Sequence, residues 1–231
     1  MKGVVYGVGV GPGDPELMTL KAVRLIREGD VIALPGSRPR ETAAYRIAAA
    51  AVPELADKAL VPIDVPMLRD RAALDRAHRA AAVRLERYLD AGQSVVYLTL
   101  GDPSLYSSFG YIQHYLEADG YRTAMVPGVP SFCAAAARLN VPLAQWDAPL
   151  HVLPAAHETG AEPDLPGACV LMKPAGRMQA IKDALRASGR GAMMVENCGM
   201  AGERVYRNAE AFPDDAGYFS LIIAGPTAQH E

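Results

Sequence analysis

The stretch "VVYGVGVGPGDPELMTL", residues 4–20, joins a β-branched run to a turn with four glycines and two prolines, and then to an apolar-periodic segment. A β-branched run bounded by turn residues is typical of a buried strand. Four apolar residues then recur at helical spacing: Leu17, Leu20, Val23 and Ile26. Since "DVIALP" at 30–35 predicts a second buried strand, the chain opens with a βαβ unit, which is typical of parallel sheets.

The alternation of strands and helices continues to residue 131. Helices are predicted over 40–52, 69–92 and 104–120, and strands over 93–103 and 121–131. The last two strands, "QSVVYLTLGDP" and "YRTAMVPGVPS", also end in turns of glycine and proline. We therefore expect a mainly parallel sheet whose strands lead into three Gly/Pro turns.

The second half of the chain has a different pattern of predicted strands and helices. It contains five short strand patterns: "LHVLPA", "GACVLMK", "GAMMVEN", "ERVYRN" and "YFSLIIAG". One clear helix, "RMQAIKDALRASG", lies among them, which indicates a mixed α/β domain. We place an N-terminal domain at 1–120 and a C-terminal domain at 121–231, with the Pro/Gly-rich segment 155–167 as a loop inside the second.

Composition and charge exclude several classes of protein. The chain has 231 residues, 50% of them hydrophobic, and its net charge of −3 disfavours binding to DNA or RNA backbones. Three cysteines, Cys133, Cys169 and Cys198, fit no zinc or redox spacing, so we expect a reducing, cytoplasmic location. No charged leader or bilayer-length apolar run is visible, so we expect a soluble, uncleaved chain with no membrane partner.

The first turn does not match the motifs that bind nucleotide phosphates. In a Gly-x-Gly-x-x-Gly fingerprint the third glycine would fall at Pro12 or Asp14, and no Walker sequence is present. A phosphate cradle needs backbone N–H donors, but five prolines without one lie in the three turns: Pro12, Pro15, Pro103, Pro127 and Pro130. Carbonyl-rich turns with a carboxylate such as Asp102 suit a cation joined to a neutral heterocycle. S-adenosylmethionine, a sulfonium attached to adenosine, fits this description.

Three segments resemble, in order and spacing, the signature loops of the tetrapyrrole (class III) methyltransferases: "GVGVGPGDPELMTLKA", "LTLGDPSLYSSFGYI" and "PGVPSFCAAAARL". The resemblance covers nearly the whole chain, and the form "GDPSLYSS" is most similar to the branch that methylates precorrin-2 at C-20 in cobalamin biosynthesis. It implies a two-domain α/β fold with a mainly parallel N-terminal sheet and a mixed C-terminal sheet. The cofactor would lie in the cleft between the domains, and the protein would be a homodimer.

The resemblance assigns the substrate cleft and the cofactor turns to the N-terminal domain, and the adenosine side of the cofactor to the C-terminal domain. The cofactor would be S-adenosylmethionine, which leaves as S-adenosylhomocysteine. In the turns the implied contacts are Pro12, Gly101, Asp102, Leu105, Tyr106, Ser107, Pro130 and Ser131. In the second domain they are Met172, Asn197, Cys198, Ala224, Gly225 and Pro226. Cys198 would act through its backbone, so its thiol is not expected to matter.

The implied reaction transfers a methyl group to C-20 of precorrin-2 and gives precorrin-3A. Because the electron-rich ring supplies its own nucleophile, the protein need only align the groups, exclude water and accept a proton. No catalytic residue is assigned, and Tyr106, Asp102 and Glu196 all stay candidates for the base. The carboxylates of the substrate call for basic side chains at the cleft rim. The candidates are Arg38, Arg40, Lys173, Arg177 and Arg204.

Several alternatives stay open at this point. The cobalt-bearing counterpart, cobalt-factor II of the anaerobic route, would suit the same residues as precorrin-2. Outside the family, a nucleotide-dependent oxidoreductase or a non-catalytic tetrapyrrole carrier stays possible. Within the family, the net charge and the "GDPSLYSS" loop argue against a ribosomal RNA or diphthamide methyltransferase. His151 and His157 have no third ligand at sensible spacing, so we expect no metal.

Overall fold

The computed structural model describes residues 2–66, 70–155, 165–174 and 176–225. The chain forms two compact units, Met1–Pro130 and Ser131–Glu231. This division differs from the boundary placed at residue 120, because the strand at Arg122–Val126 pairs with the first strand of the chain. Residues 121–130 therefore belong with the N-terminal sheet.

The first unit contains a five-stranded sheet in which all neighbouring strands are parallel. The strands are β1 (Val4–Gly9), β2 (Val31–Pro35), β3 (Ala59–Ile63), β4 (Val95–Thr99) and β5 (Arg122–Val126). Their order across the sheet is β3-β2-β4-β1-β5, so the parallel sheet expected from the sequence is confirmed. All five strands end at one side of the sheet, here called the carboxyl edge, and begin at the opposite side, the amino edge.

Four helices accompany this sheet: α1 (Leu20–Glu28), α2 (Ala43–Ala51), α3 (Arg71–Asp90) and α4 (Phe109–Ala118). Thr19, Thr42 and Asp70 begin the first three, because their side chains accept hydrogen bonds from N–H groups of the first turn. Buried side chains of α3 and α4, such as Leu85 and Ile112, pack in one cluster with side chains of all strands but the last. The sheet is thereby covered by helices on this face.

α1 buries part of the apolar series that predicts it, together with residues outside that series. Ala22, Leu25 and Ile26 are buried, whereas Leu20 is 89% exposed. Leu17 lies in a separate 3₁₀ turn that a proline begins, so the apolar residues do not share one continuous helix. The spacing therefore predicts the helix correctly, and Ile26 is the fully buried member of the apolar series.

β3 is a strand that the sequence pattern does not predict. Pro62 interrupts its apolar run, and a proline removes one ladder hydrogen bond. The structure tolerates it because β3 lies at the end of the sheet and pairs with β2 alone. The position of a strand within its sheet therefore decides whether a proline can be accommodated.

The second unit contains a mixed five-stranded sheet, as expected. Its strands are β6 (Leu150–Pro154), β7 (Ala168–Met172), β8 (Ala192–Glu196), β9 (Arg204–Tyr206) and β10 (Ser220–Ala224). In the order β6-β7-β10-β8-β9, only β6 and β7 are parallel. α5 (Ser131–Leu139) packs on β8 and β10. α6 (Met178–Ser188) covers the face that carries Ile222 and Ala224.

Among the residues that the structure describes, no helix is both long and apolar enough to cross a membrane. The three cysteines form no disulfide: Cys133 is exposed, Cys169 is buried and Cys198 is half-buried. The predicted cytoplasmic location stays a prediction.

Candidate functional site

The three Gly/Pro turns meet at the carboxyl edge of the first sheet. The first turn follows β1 and the second follows β4, and they form an isolated antiparallel bridge between Gly11 and Gly101. In this bridge the Gly101 N–H donates to the Gly11 carbonyl at 2.8 Å, and the Gly11 N–H donates back at 3.3 Å. The third turn follows β5 and is joined to the second by the Gly128 N–H, which donates to Asp102 Oδ2 at 2.9 Å. The parallel order of the strands thus assembles one cluster from turns far apart in sequence.

The backbones of the three turns approach so closely that side chains would not fit. A Cβ atom on Gly128 would lie 2.1 Å from the Gly101 carbonyl oxygen, and one on Gly9 would lie 2.4 Å from the same atom. Carbon and oxygen do not approach this closely without a bond, so both positions require glycine. The glycine pattern that suggested a phosphate fingerprint therefore serves the packing of turn against turn.

Asp102 is buried in this cluster and uses both carboxylate oxygens within it. Oδ1 accepts from the Ser104 N–H at 2.8 Å and from the Ser104 hydroxyl at 2.5 Å, while Oδ2 accepts from Gly128. From the sequence, this carboxylate is expected to suit the cation of a cofactor. The structure instead gives it protein donors, because a buried carboxylate is stabilised by N–H and O–H groups that face it.

The remainder of the second turn is held against β4 by two serines. The Ser107 hydroxyl lies 3.0 Å from Thr99 Oγ1, and the Ser108 hydroxyl lies 2.8 Å from the Tyr97 hydroxyl. Burial raises the pKa of Tyr97 to about 12, so its phenol stays neutral. The helix predicted over 104–120 consequently begins only at Phe109, because this serine-rich segment bonds to the neighbouring strand instead.

The other predicted contacts of the turns differ in exposure. Pro12 and Gly101 are buried, and Leu105, Pro130 and Ser131 are half-buried. Tyr106 is 51% exposed and has a φ of 49°, a backbone conformation that is rare for a bulky residue. Such conformations concentrate at functional sites, and this one places an aromatic residue on the surface of the turn cluster.

In the second unit, several predicted residues share the edge where β7 and β8 end. Met172 is the last residue of β7, and Asn197 and Cys198 directly follow β8. Arg204 begins β9 opposite Glu196, so it lies at the same edge. The Asn197 N–H donates to the Phe219 carbonyl at 3.0 Å, and its φ of 50° turns the chain sharply there. This edge carries the half-buried Met172, Asn197 and Cys198 together with the exposed Arg204.

Ala224 and Gly225, which the resemblance also names as cofactor contacts, lie apart from that group. β10 runs antiparallel to β7 and β8, so that Leu221 lies opposite Met172 whereas Ala224 lies opposite Cys169. Ala224 is fully buried on the α6 face and is about 10 Å further along the strand than Leu221. Gly225 packs against Ala168 at the other end of the sheet. Pro226 lies outside the described residues.

Two side chains in the second unit have clear structural roles. Glu196, a candidate base, is buried and accepts hydrogen bonds from the Tyr206 hydroxyl, the Gly217 N–H and the Ser220 hydroxyl. Burial, followed by the nearby charge of Glu203, raises the pKa of Cys198 to about 11. The Cys198 thiol therefore stays protonated at neutral pH.

The candidate basic residues are held to different degrees. Arg40 donates to the Tyr45 hydroxyl at 2.7 Å and to the Ala56 carbonyl at 2.9 Å, so its guanidinium anchors the loop after β2. Arg38, in the same loop, is mostly exposed and lies 3.4 Å from Glu41. In the second unit, the Lys173 amine lies 5.3 Å from the centre of the Tyr218 ring. Arg177 precedes α6 and is half-buried.

Ser104 and Gly128 are site residues that the sequence analysis did not single out. The signal for Ser104 was present, because an aspartate two residues before a serine is typical of a turn closed by its own side chain. No local signal identifies Gly128 as the partner of Asp102, since 26 residues separate them. Among the described residues there is no group of three or more potential metal ligands. His151 bonds to the Pro166 carbonyl at 3.0 Å, and His157 lies outside the described residues.

The chain belongs to the tetrapyrrole (corrin/porphyrin) methylases, whose family profile matches residues 4–211. The assignment made from the three turns is thereby confirmed. A precorrin-2 C(20)-methyltransferase from Sinorhizobium is 32% identical to this chain over 96% of it and 94% of the relative. A cobalt-precorrin-2 C(20)-methyltransferase from Salmonella typhimurium is 30% identical over 96% of both proteins. The cobalamin biosynthesis protein CobIJ of Mycobacterium tuberculosis is 34% identical over 96% of this chain.

This chain spans about half of CobIJ, 46% of its length. Among solved structures, the cobalt precorrin-4 methyltransferase CbiF superimposes with a TM-score of 0.74 at 20% identity, over 96% of this chain and 94% of CbiF, which shows a common fold. A uroporphyrin-III C-methyltransferase from Thermus thermophilus, complexed with S-adenosylhomocysteine, gives a TM-score of 0.68 at 27% identity. This superposition covers 97% of this chain and 98% of the Thermus chain. The two-sheet α/β fold is thus that of the family.

Proposed function

We propose that this chain is an S-adenosylmethionine-dependent methyltransferase that methylates precorrin-2 at C-20 in cobalamin biosynthesis and gives precorrin-3A. The Sinorhizobium relative, named for this reaction, is similar over nearly its whole length. The observation that carries the proposal is the assembly of three Gly/Pro turns into one backbone cluster at the carboxyl edge. In open α/β sheets, ligands bind beyond the carboxyl ends of the strands.

The chemistry of the turns fits this cofactor. Their prolines remove N–H donors, which leaves carbonyl oxygens as the main polar groups of the backbone, and carbonyl dipoles favour a cation over a polyanion. The Thermus relative was crystallised with the demethylated form of the same cofactor. When bound, S-adenosylmethionine supplies a methyl group activated by the positive sulfur.

The protein contributes position rather than a reactive side chain. Backbone contacts at Gly9, Gly101 and Gly128 fix the turns before any ligand arrives, so little reorganisation is required on binding. The roles of the two units are part of this proposal: the first supplies the turns and the substrate side, and the second supplies the adenosine side through Met172 and Asn197.

Basic side chains account for recognition of the substrate carboxylates in this proposal. Arg38 and Arg40 belong to the loop after β2 at the carboxyl edge, and Arg38 has the more exposed guanidinium. In the second unit, Lys173 follows β7, Arg177 precedes α6 and Arg204 begins β9. Because Arg40 already bonds to Tyr45 and Ala56, we assign the direct contact in this loop to Arg38.

The Salmonella relative favours a second substrate, the cobalt-bearing form of precorrin-2. Incubation of the protein with S-adenosylmethionine and each substrate, followed by mass spectrometry and NMR of the product, separates the two. We expect one added methyl group, on C-20, with the metal-free ring. Methylation of the cobalt form alone would show that the cobalt form is the substrate. Methylation of neither ring would contradict the proposed function. A cytoplasmic location and a homodimeric assembly are part of the proposal. Light scattering on the purified protein tests whether it is a dimer.

A further inference from the structure

Asp102 is the buried acidic residue of the turn cluster, at 9% exposure. Three donors face its two carboxylate oxygens: the Ser104 N–H, the Ser104 hydroxyl and the Gly128 N–H, at 2.8, 2.5 and 2.9 Å. N–H and O–H donors stabilise the ionised form of a carboxylate and offset the loss of its hydration. The charge of Asp102 is therefore satisfied by the protein itself.

One of these bonds connects two turns that lie far apart in the sequence. Asp102 belongs to the second turn and Gly128 to the third, and the buried Gly128 N–H donates to the carboxylate across 26 residues of sequence. The neighbouring residue, Gly101, is bridged to Gly11 of the first turn. The carboxylate thus completes a continuous connection from the first turn to the third.

We propose that Asp102 is a positioning residue, which fixes the third turn against the second and does not itself pair with the sulfonium of the cofactor. This inference rests on the proposed function. If it holds, the contribution of Asp102 to cofactor binding passes through Gly128 and Ser104. Loss of the carboxylate then affects every ligand that uses the turns, whatever the charge on its sulfur.

An asparagine at this position keeps the size of the side chain but not its acceptors. Its amide has only one oxygen, so its NH₂ group must face either Gly128 or Ser104. Both of these residues already point hydrogen-bond donors at the side chain, and two donors cannot bond to each other. The N–H group of either Gly128 or Ser104 is then left without an acceptor. Asp102→Asn therefore loosens either the connection to the third turn or the second turn itself, and it leaves the remaining backbone contacts intact.

The experiment compares the affinities of S-adenosylmethionine, which is positively charged at sulfur, and S-adenosylhomocysteine, which is not. Calorimetry on wild-type protein and on Asp102→Asn gives the loss of affinity for each ligand. We expect a loss of about tenfold for both, corresponding to about 1.4 kcal/mol. A direct contact between the carboxylate and the sulfonium would weaken the binding of S-adenosylmethionine much more than that of S-adenosylhomocysteine.

Asp30 provides a matched control at the amino edge of the same sheet. Its carboxylate accepts from the Ser94 N–H at 2.8 Å and from the Ser94 hydroxyl at 2.7 Å, as that of Asp102 does from Ser104. Asp30→Asn should lower the melting temperature and leave both affinities unchanged. An equal loss of affinity in both variants would show a general loss of stability and would overturn the inference.

The remaining outcomes also decide the question. An effect confined to S-adenosylmethionine, or no effect in Asp102→Asn, overturns the positioning role. If the wild-type protein binds neither ligand, the proposed function fails before the inference is reached. If Asp102→Asn does not fold, Ser104→Ala replaces it, because it removes one hydroxyl donor and keeps the carboxylate. We then expect an equal loss of about twofold for both ligands, and unequal or unchanged affinities would contradict the inference.

Discussion

The two edges of the first sheet hold their loops together by different means. At the carboxyl edge, turns of glycine and proline contact one another through backbone atoms, and the Asp102 carboxylate joins the second turn to the third. At the amino edge, charged side chains add connections to backbone bonds such as that from the Gly3 N–H to the Leu89 carbonyl. Asp30 binds Ser94, and Lys58 donates to the carbonyls of Arg27 and Gly29 at 2.5 and 2.8 Å.

This difference separates the part of the sheet that can bind a ligand from the part that only stabilises it. Backbone contacts cannot be replaced one side chain at a time. Ion pairs and side-chain hydrogen bonds at the amino edge contribute small, separable amounts of stability. Substitutions at the two edges should therefore have different consequences for function.

The largest expected effect comes from adding a methyl group where backbones touch. In Gly128→Ala the new Cβ would lie 2.1 Å from the Gly101 carbonyl oxygen, so the third turn must move. We expect a loss of at least about 2 kcal/mol in the free energy of unfolding, together with a loss of S-adenosylhomocysteine binding in the folded protein. Denaturant unfolding and calorimetry measure the two effects.

Gly3→Ala is the matched control for this change, because its Cβ would lie 1.8 Å from the Gln93 carbonyl oxygen at the amino edge. It should cost a similar amount of stability and leave the affinity of the folded protein unchanged. If both variants lose affinity in proportion to stability, the functional difference between the edges disappears.

An intermediate effect is expected in the loop after β2, where Arg38 and Arg40 differ. Arg38→Ala should raise the KM for the tetrapyrrole substrate by roughly three- to tenfold, because a charge-assisted contact to a carboxylate is lost, and should change stability little. Arg40→Ala should instead destabilise the fold by about 1 kcal/mol, since it removes bonds to Tyr45 and Ala56. Arg122→Ala at the amino edge should change neither KM nor the affinity for the cofactor. A KM that rises equally in Arg38→Ala and Arg122→Ala would indicate only long-range charge.

The smallest effect concerns Glu86, in the charged network near the amino edge. Burial raises its pKa, and the neighbouring Asp119 adds to the shift. Its Oε1 atom has no hydrogen-bond partner among the described residues and lies 3.7 Å from Arg79 Nη1. Because the folded protein holds this proton more tightly than the unfolded chain, stability falls as pH rises from the usual pKa of 4.5 through the raised one.

Glu86→Gln should remove that fall and increase stability at pH 7 by less than about 1 kcal/mol. Thermal unfolding at a series of pH values above 4 measures it, with S-adenosylhomocysteine affinity as the control that should not change. A variant that is less stable than wild type at pH 7 would show instead that Arg79 stabilises the Glu86 carboxylate.

The sequence predicts the parts of this molecule that depend on local signals. Valine-rich runs and Gly/Pro turns identified β1, β4 and β5, and their alternation with helices indicated the parallel sheet. The sequence does not predict three features that depend on the pairing of distant segments. They are the edge position that accommodates Pro62, the antiparallel direction of β10 that moves Ala224 away from Met172, and the Gly128 donor of Asp102. These features arise only when separate segments meet, so no window of sequence contains them.

Hydrogen exchange with and without S-adenosylhomocysteine tests the central claim most directly, namely that the carboxyl edge of the first sheet binds the cofactor. We predict slower exchange on binding at amides of the three turns, within residues 9–13, 101–108 and 127–131, because the ligand excludes water and suppresses local opening there. Amides at the amino edge, within residues 29–31 and 93–95, should exchange at the same rate in both states. Binding that protects the amino edge, or that leaves all three turns unprotected, would contradict the account.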